Sequence, residues 1–266
     1  MLSGQVPPFI MVATAFAVAF GIGLIYLWLR GISVKSLVRQ PINIWAIGIG
    51  GLFGYHFLYF LAFRLAPAVE VNLLNYLWPL LIVLFSALLP GERLQWWHIV
   101  GAILGFVGAF VLLTGGDGFT IEEGYLTGYA AAIGAAVIWA SYSVLSRRFS
   151  EVPTEMVALY CGATSVLALL CHLIFEEMVR PYGTQWLILI VMGLGPVGSA
   201  FYLWDYGVKR GNIRLLGVAA YLIPLLSTAL LVLFGGAEAG WRIWVACGLI
   251  VSGALLAGRN LLLDRN

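Results

Sequence analysis

Asn75, Tyr76, Trp78 and Pro79 sit together inside NLLNYLWPLLIVLF, an otherwise apolar run from residue 72 to residue 85. If that run is helical, Asn75, Trp78 and Pro79 share one face by i, i+3, i+4 spacing, and Tyr76 lies about 100° away on the flank. A proline inside a helix removes one backbone hydrogen bond and frees the carbonyl four residues back, here that of Asn75. Surrounded by lipid, a freed carbonyl is tolerated where protein or a water-filled cavity satisfies it. Two more sets have similar chemistry. Tyr55, His56 and Tyr59 share a face on the preceding run, and Trp139 and Tyr142 are spaced i, i+3 further on. Flat rings with a polar tip suit recognition of another ring by stacking, edge contacts and hydrogen bonds. Covalent catalysis would need a nucleophile with its base, or clustered metal ligands. The three histidines are scattered and mid-run acids are almost absent, so a binding cavity is expected and an enzyme is not.

Other residues invite chemistry and are read more plainly. His56 is expected to be a hydrogen-bonded packing residue rather than a proton carrier. Asp205 lies one turn before Lys209 near the end of its run, and the spacing predicts an interfacial ion pair rather than a coupling carboxylate. GLGPVG (193–198) fits G-x-G-x-x-G, but that motif needs a preceding strand in a βαβ unit, so nucleotide binding is rejected. The same glycine spacing begins at Gly48 and Gly50, and the 32 glycines are expected to let helices pack closely. Cys161, Cys171 and Cys247 all lie in apolar runs and read as packing residues, not a disulfide framework. No cofactor or metal site is implied.

The elements that must position these residues are membrane helices. The chain has 266 residues, is 62% hydrophobic and only 10% charged, and its mean hydropathy is +0.99. Globular soluble domains carry about 25% charged residues. The apolar runs are long enough to cross a ~30 Å hydrocarbon core as helices, and they do not alternate as barrel strands would. Nine spans are expected, at about 9–29, 43–63, 70–89, 96–115, 125–146, 154–175, 186–207, 213–234 and 241–260. Short loops imply antiparallel neighbours. MLSGQVPPFIMV has no basic stretch before its apolar run and does not read as a signal peptide. No polar stretch is long enough for a soluble domain, and the net charge of +2 gives no reason to expect nucleic acid.

Alternating the nine spans divides the 14 basic residues unevenly. Only Arg64, Arg180 and Arg242 fall on one side; the other eleven, from Arg30 and Lys35 to Arg259 and Arg265, fall on the opposite side. The positive-inside rule makes the richer side cytoplasmic, with the C-terminus inside and residue 1 outside.

The sequence also matches itself at a shift of 145. GIGG (48–51) falls on GLGP (193–196), YFLAFRLA (59–66) on WDYGVKRG (204–211), YLWP (76–79) on YLIP (221–224), and Trp96 on Trp241. This adds Tyr221 to the candidate binding residues and pairs Pro224 with Pro79 as hinge candidates. The shift places the partner of span 125–146 before Met1. The expectation is an all-α membrane protein of two inverted five-helix repeats, 1–115 and 124–262, whose first helix is absent from this sequence. An odd number of spans inverts the second copy, and paired interruptions near mid-membrane point to a substrate site.

NYLWP, LLPGERLQWWHIVGAILGFVGAFVLL and the matching second-half stretch resemble the drug/metabolite transporter superfamily, in its EamA branch. The resemblance covers essentially the whole chain. The second half departs from the G-E-R pattern: GGAEAGW keeps one acid, Glu238. The resemblance implies a ten-helix bacterial inner-membrane exporter that works by alternating access around a cavity between the halves. NYLWP with its aromatic set looks most like the exporters of aromatic amino acids. The implied partners are that small-molecule substrate and the lipid bilayer, with no nucleic acid; a monomer is compatible with this. The alternative is a drug/metabolite transporter for drugs or nucleotide precursors. The expected substrate site comprises Tyr55, His56, Tyr59, Asn75, Tyr76, Trp78, Trp139, Tyr142 and Tyr221.

Overall fold

A computed structural model describes residues 6–115, 122–235 and 240–259. Glu238, Arg265 and the end of the expected second repeat at 260–262 lie outside the described residues. Among the described residues, eight helices are long and apolar enough to cross a membrane: α1 (Pro8–Leu29), α2 (Ile42–Leu65), α3 (Ala68–Leu88), α4 (Trp96–Thr114), α5 (Glu123–Arg148), α6 (Met156–Phe175), α7 (Thr184–Arg210) and α8 (Ile213–Phe234). A ninth apolar helix, α9 (Trp241–Ala257), is shorter. The spans expected from hydropathy thus reappear within a few residues. Their starts follow local chemistry. Pro8 opens α1, where a missing N–H costs nothing. The Asn212 side chain accepts from the Arg214 and Leu215 amides to start α8. Gly115, at φ +61°, ends α4 in the left-handed conformation that glycine adopts freely.

Four spans depart from simple continuous helices. Within α2, Gly50–Gly54 forms a π-helical turn immediately before Tyr55, the kind of defect that often marks functional positions. The first helix of α3 ends at Asn75 and the second starts at Trp78. The chain tightens there, the Leu77 amide reaching the Leu74 carbonyl at 3.2 Å. Pro79 therefore sits in the first turn of a new helix, where its missing N–H is harmless, rather than kinking an unbroken one. In α8 the first helix ends at Ala219 and the second starts at Leu222, just before Pro224. In α7 the helix stops at Leu194 and resumes at Ser199. That last break was not expected: hydropathy does not register it, because Gly195, Pro196, Val197 and Gly198 are all apolar. A Cβ at Gly198 would collide with the Gly193 carbonyl, so only glycine fits the turn.

The largest helix contacts are α4 with α9, α1 with α6, and α2 with α5. Glycines set how close they come. A Cβ at Gly101 would lie 2.6 Å from the Gly253 carbonyl, and one at Gly108 would lie 3.0 Å from the Ala246 carbonyl. A Cβ at Gly48 would enter the Tyr160 ring, and one at Gly193 would lie 2.6 Å from the Ala15 carbonyl. The shift of 145 turns one contact of each pair into the other: Gly101 falls on Ala246 and Gly108 on Gly253, Gly48 on Gly193 and Ala15 on Tyr160. The Tyr221 hydroxyl donates to the Tyr76 carbonyl at 3.1 Å, residues that are themselves 145 apart. Gly50 is different, since a Cβ there would meet nothing within 4 Å.

The two ends of the bundle differ. At the basic end Glu92, from the G-E-R stretch, takes Arg214 at 2.9 Å and Arg147 at 3.4 Å. Arg147 also donates to the Lys209 carbonyl at 2.6 Å, and Arg214 donates to the Arg93 carbonyl. At the opposite end Glu176 accepts the Phe9 amide at 2.9 Å and pairs with His172 at 2.8 Å, tying α6 to the start of α1.

Candidate functional site

A cavity of about 350 Å³ lies where α1, α2, α3, α5, α7 and α8 meet. Tyr55, His56, Tyr59 and Phe60 come from α2, Trp78 from α3 and Trp139 from α5. Met11 and Val12 of α1 and Ile223 of α8 line it too. The α7 break supplies Met192, Pro196 and Val197, and the helix after it supplies Ala200, Phe201 and Trp204. Several of these residues (Met11, Tyr59, Phe60) lie toward the end of the bundle away from the Glu92 cluster.

The walls are mostly rings. Trp78 meets Trp204 edge-on at 5.4 Å and Trp139 edge-on at 6.4 Å. Tyr55 stacks on Tyr59 at 5.5 Å and leans on Trp139 at 5.3 Å. Phe201 stands between His56, at 5.8 Å, and Trp139, at 5.5 Å. Each such contact is worth about 0.5–1.5 kcal/mol beyond area burial. Among the described residues, none that lines the cavity is Asp, Glu, Lys or Arg.

Hydrogen bonds fix the polar tips. The His56 Nδ1 lies 2.7 Å from the Leu52 carbonyl, and a donated bond there puts the proton on Nδ1. The Tyr59 hydroxyl donates to Asn72 Oδ1 at 2.6 Å, and Asn75 Nδ2 donates to the Tyr55 hydroxyl at 3.2 Å. Trp204 Nε1 donates to Ser143 Oγ at 3.0 Å, which in turn donates to the Trp139 carbonyl at 2.8 Å. This short relay orients the Trp204 indole and ties it to the backbone of α5.

Of the nine residues singled out in the sequence, Tyr55, His56, Tyr59, Trp78 and Trp139 line this cavity. The other four stand behind it. Asn75 is buried and holds Tyr55. Tyr76 is half-buried and packs with Tyr221, which is fully buried against Gly105. Tyr142 packs on Trp139 at 5.3 Å and lines a separate small void on the basic side, with Asp205 and Lys209. Helical spacing fixes a face to within a turn but not which neighbour covers it. Here Gly51 admits Tyr142 against the α2 backbone. The Asp205–Lys209 pair is present at 2.7 Å near the end of α7, and both side chains are buried within the protein.

Phe201 and Trp204 were missed, and a signal for them existed. Adding 145 to Tyr55, His56, Tyr59 and Trp78 gives Ala200, Phe201, Trp204 and Ile223, all four of which line the cavity.

Known proteins resemble this chain over its whole length. The aromatic amino acid exporter YddG of Ancylobacter novellus is 53% identical over 96% of this chain and 89% of its own. The aromatic amino acid exporter YddG of Escherichia coli is 26% identical over 71% of this chain and 66% of its own. One solved crystal structure, 51% identical, superposes with a TM-score of 0.91 over 99% of this chain and 91% of the other. The EamA-like transporter family matches residues 1–114 and 126–259. With the helical bundle and the ring-lined cavity at its centre, these matches place the chain in the EamA-like transporter family, as a multi-pass membrane protein.

Proposed function

We propose that this protein exports aromatic amino acids across a bacterial inner membrane by alternating access. The observation that carries the reading is the cavity itself: indoles, phenols and one imidazole around a space of about 350 Å³, with no charged lining residue. That volume is at the low end of small-molecule sites and suits one ring-bearing metabolite. The printed names of the two YddG relatives support the same substrate class. Tyr55, His56, Tyr59, Trp78 and Trp139, joined by Phe201 and Trp204, are the proposed substrate contacts, with Asn75, Tyr76, Tyr142 and Tyr221 behind them.

The proposed architecture is two inverted repeats, 1–115 and 124–262, with the basic end and the C-terminus in the cytoplasm. The uneven distribution of Lys and Arg supports the orientation. The paired glycine contacts that the shift of 145 exchanges, and the bond between Tyr76 and Tyr221, support the repeats. In this arrangement the Glu92 cluster closes the cytoplasmic side and the cavity belongs to an outward-facing state. Pro79 and Pro224 are the proposed hinges. Each follows a break in its helix where bonds to the carbonyl three residues back replace part of the regular ladder, and the proline itself adds no amide.

Efflux from proteoliposomes tests the function. Labelled tryptophan, phenylalanine and tyrosine should leave at least about tenfold faster than leucine, since about 1.4 kcal/mol of added ring contact gives that ratio. Equal rates for leucine and the aromatic amino acids, or transport of other drugs or nucleotide precursors alone, would sink this reading.

A further inference from the structure

The cavity offers walls to a ring and nothing charged to an α-amino acid's ammonium and carboxylate. A buried acid and base lie close by. Asp205 and Lys209 sit one turn apart on α7, with side chains 1% and 6% exposed and 2.7 Å between Oδ2 and Nζ. Asp205 directly follows Trp204 of the cavity wall. Both residues line the small void behind Tyr142. Beside that void a groove of about 680 Å³ runs along α7 from Ser199 to Arg210, at the basic end. The groove and the void share Val152 and Lys209, and Tyr26, Tyr202 and Tyr206 give the groove ring-bearing walls. The charged pair therefore stands between an aromatic groove at the basic end and the aromatic cavity.

Its partners show what it could bind. The Thr154 hydroxyl donates to Asp205 Oδ2 at 2.7 Å. Lys209 Nζ donates to the Val152 carbonyl at 2.9 Å. The turn at 152–154 thus presents a donor to the acid and an acceptor to the base. A zwitterionic amino acid presents the same two things, its ammonium and its carboxylate. Stability alone gives little reason to keep such a pair, since a buried ion pair often contributes no more than well-packed apolar residues would.

We propose that Asp205 and Lys209 form a second site, which takes the ammonium and carboxylate of the cargo as it passes from the basic end to the cavity, and that the 152–154 turn occupies this site when no cargo is there. The inference rests on the exporter reading. When α7 parts from that turn, Asp205 loses the Thr154 hydroxyl and Lys209 loses the Val152 carbonyl. The cargo restores both bonds, so opening toward the basic end keeps the pair's hydrogen bonding complete while an amino acid is present.

Efflux from proteoliposomes is measured for tryptophan, for tryptophan amide, which carries only the ammonium, and for indole-3-propionate, which carries only the carboxylate. Asp205→Asn should slow the two ammonium-bearing cargoes about tenfold and leave indole-3-propionate within about twofold, a loss typical of one charged hydrogen bond. Lys209→Met should spare tryptophan amide instead. Equal slowing of all three cargoes by both variants, or no change in tryptophan efflux in either, overturns the proposal. The double variant Asp205→Lys with Lys209→Asp keeps the pair, and with it the packing, but reverses its direction. It should recover the thermal stability lost in the single variants while tryptophan efflux stays about tenfold low. Recovery of both stability and efflux assigns the pair to packing alone and overturns the proposal. That test decides on tryptophan alone if wild type carries neither analogue. Wild-type liposomes that carry no tryptophan overturn the exporter reading and this inference together; wild-type efflux with unaffected variants overturns this inference alone.

Discussion

The cavity takes the same four places from each half of the chain, and the two sets differ in chemistry. Tyr55, His56, Tyr59 and Trp78 carry polar tips, and Asn72, Asn75 and the Leu52 carbonyl hold the first three. Ala200, Phe201, Trp204 and Ile223 carry one polar atom among them, the Trp204 indole nitrogen, and Ser143 accepts its bond. The backbone places match while the side chains have diverged. The comparison teaches that matched positions can carry unlike chemistry: under the proposed function, one wall offers polar groups to the cargo and the other mainly shape.

The largest effect should come from breaking the frame. Gly48→Val and Gly193→Val each force a branched side chain into a helix contact that has no room for a Cβ. Overpacking costs about 1–3 kcal/mol, so both should lower folded yield and thermal stability, read by fluorescence-detected size exclusion. A large loss in one and none in the other would mean the two places are not mechanically alike. Next comes the smooth wall. Trp204→Ala removes ring contacts to Trp78 and Trp139 and should cut aromatic efflux about tenfold, with Trp78→Ala close behind. A normal rate for Trp204→Ala would leave only the polar wall to hold substrate.

The prolines should have an intermediate effect. Pro79→Ala and Pro224→Ala let each broken helix knit together, so efflux should fall several-fold while substrate affinity, read from tryptophan quenching, stays within about threefold. Unchanged rates would leave the breaks as static shape. The smallest effect belongs to the polar wall's support. Asn75→Ala removes a hydrogen bond worth about 0.5–1.5 kcal/mol from Tyr55. It should weaken tyrosine and tryptophan binding a few-fold, with a smaller effect on phenylalanine. Equal weakening for all three would mean that Tyr55 provides packing and no polar selection.

The sequence made part of this legible. Hydropathy located the spans because the length of a membrane helix is set by lipid thickness. The aromatic residues on α2, α3 and α5 stood out because rings with polar tips are unusual at mid-membrane. Phe201 did not, since a plain ring in an apolar run carries no local signal. Trp204 did not, since it precedes Asp205 near the charged end of its run, where a tryptophan is ordinary. The shift by 145 distinguishes both from lipid-facing neighbours. Tyr142 and Tyr221 matched the pattern yet lie behind the wall. Their placement depends on Gly51 and Gly105 opposite them, and spacing along one helix says nothing about the residue facing it. The α7 break escaped because apolar glycine and proline raise no hydropathy alarm.

The uncharged cavity wall has an electrical consequence. An elementary charge moved through a membrane potential gains or loses about 2.3 kcal/mol per 100 mV. A zwitterion carries no net charge, the wall carries none, and the nearby pair of Asp205 and Lys209 sums to zero. Voltage therefore has nothing to pull on as the cavity changes the side it faces. For the proposed zwitterionic cargo moving alone, rate and final gradient should follow the cargo's concentration rather than the cell's potential, and a current recorded during transport would reveal a coupled ion.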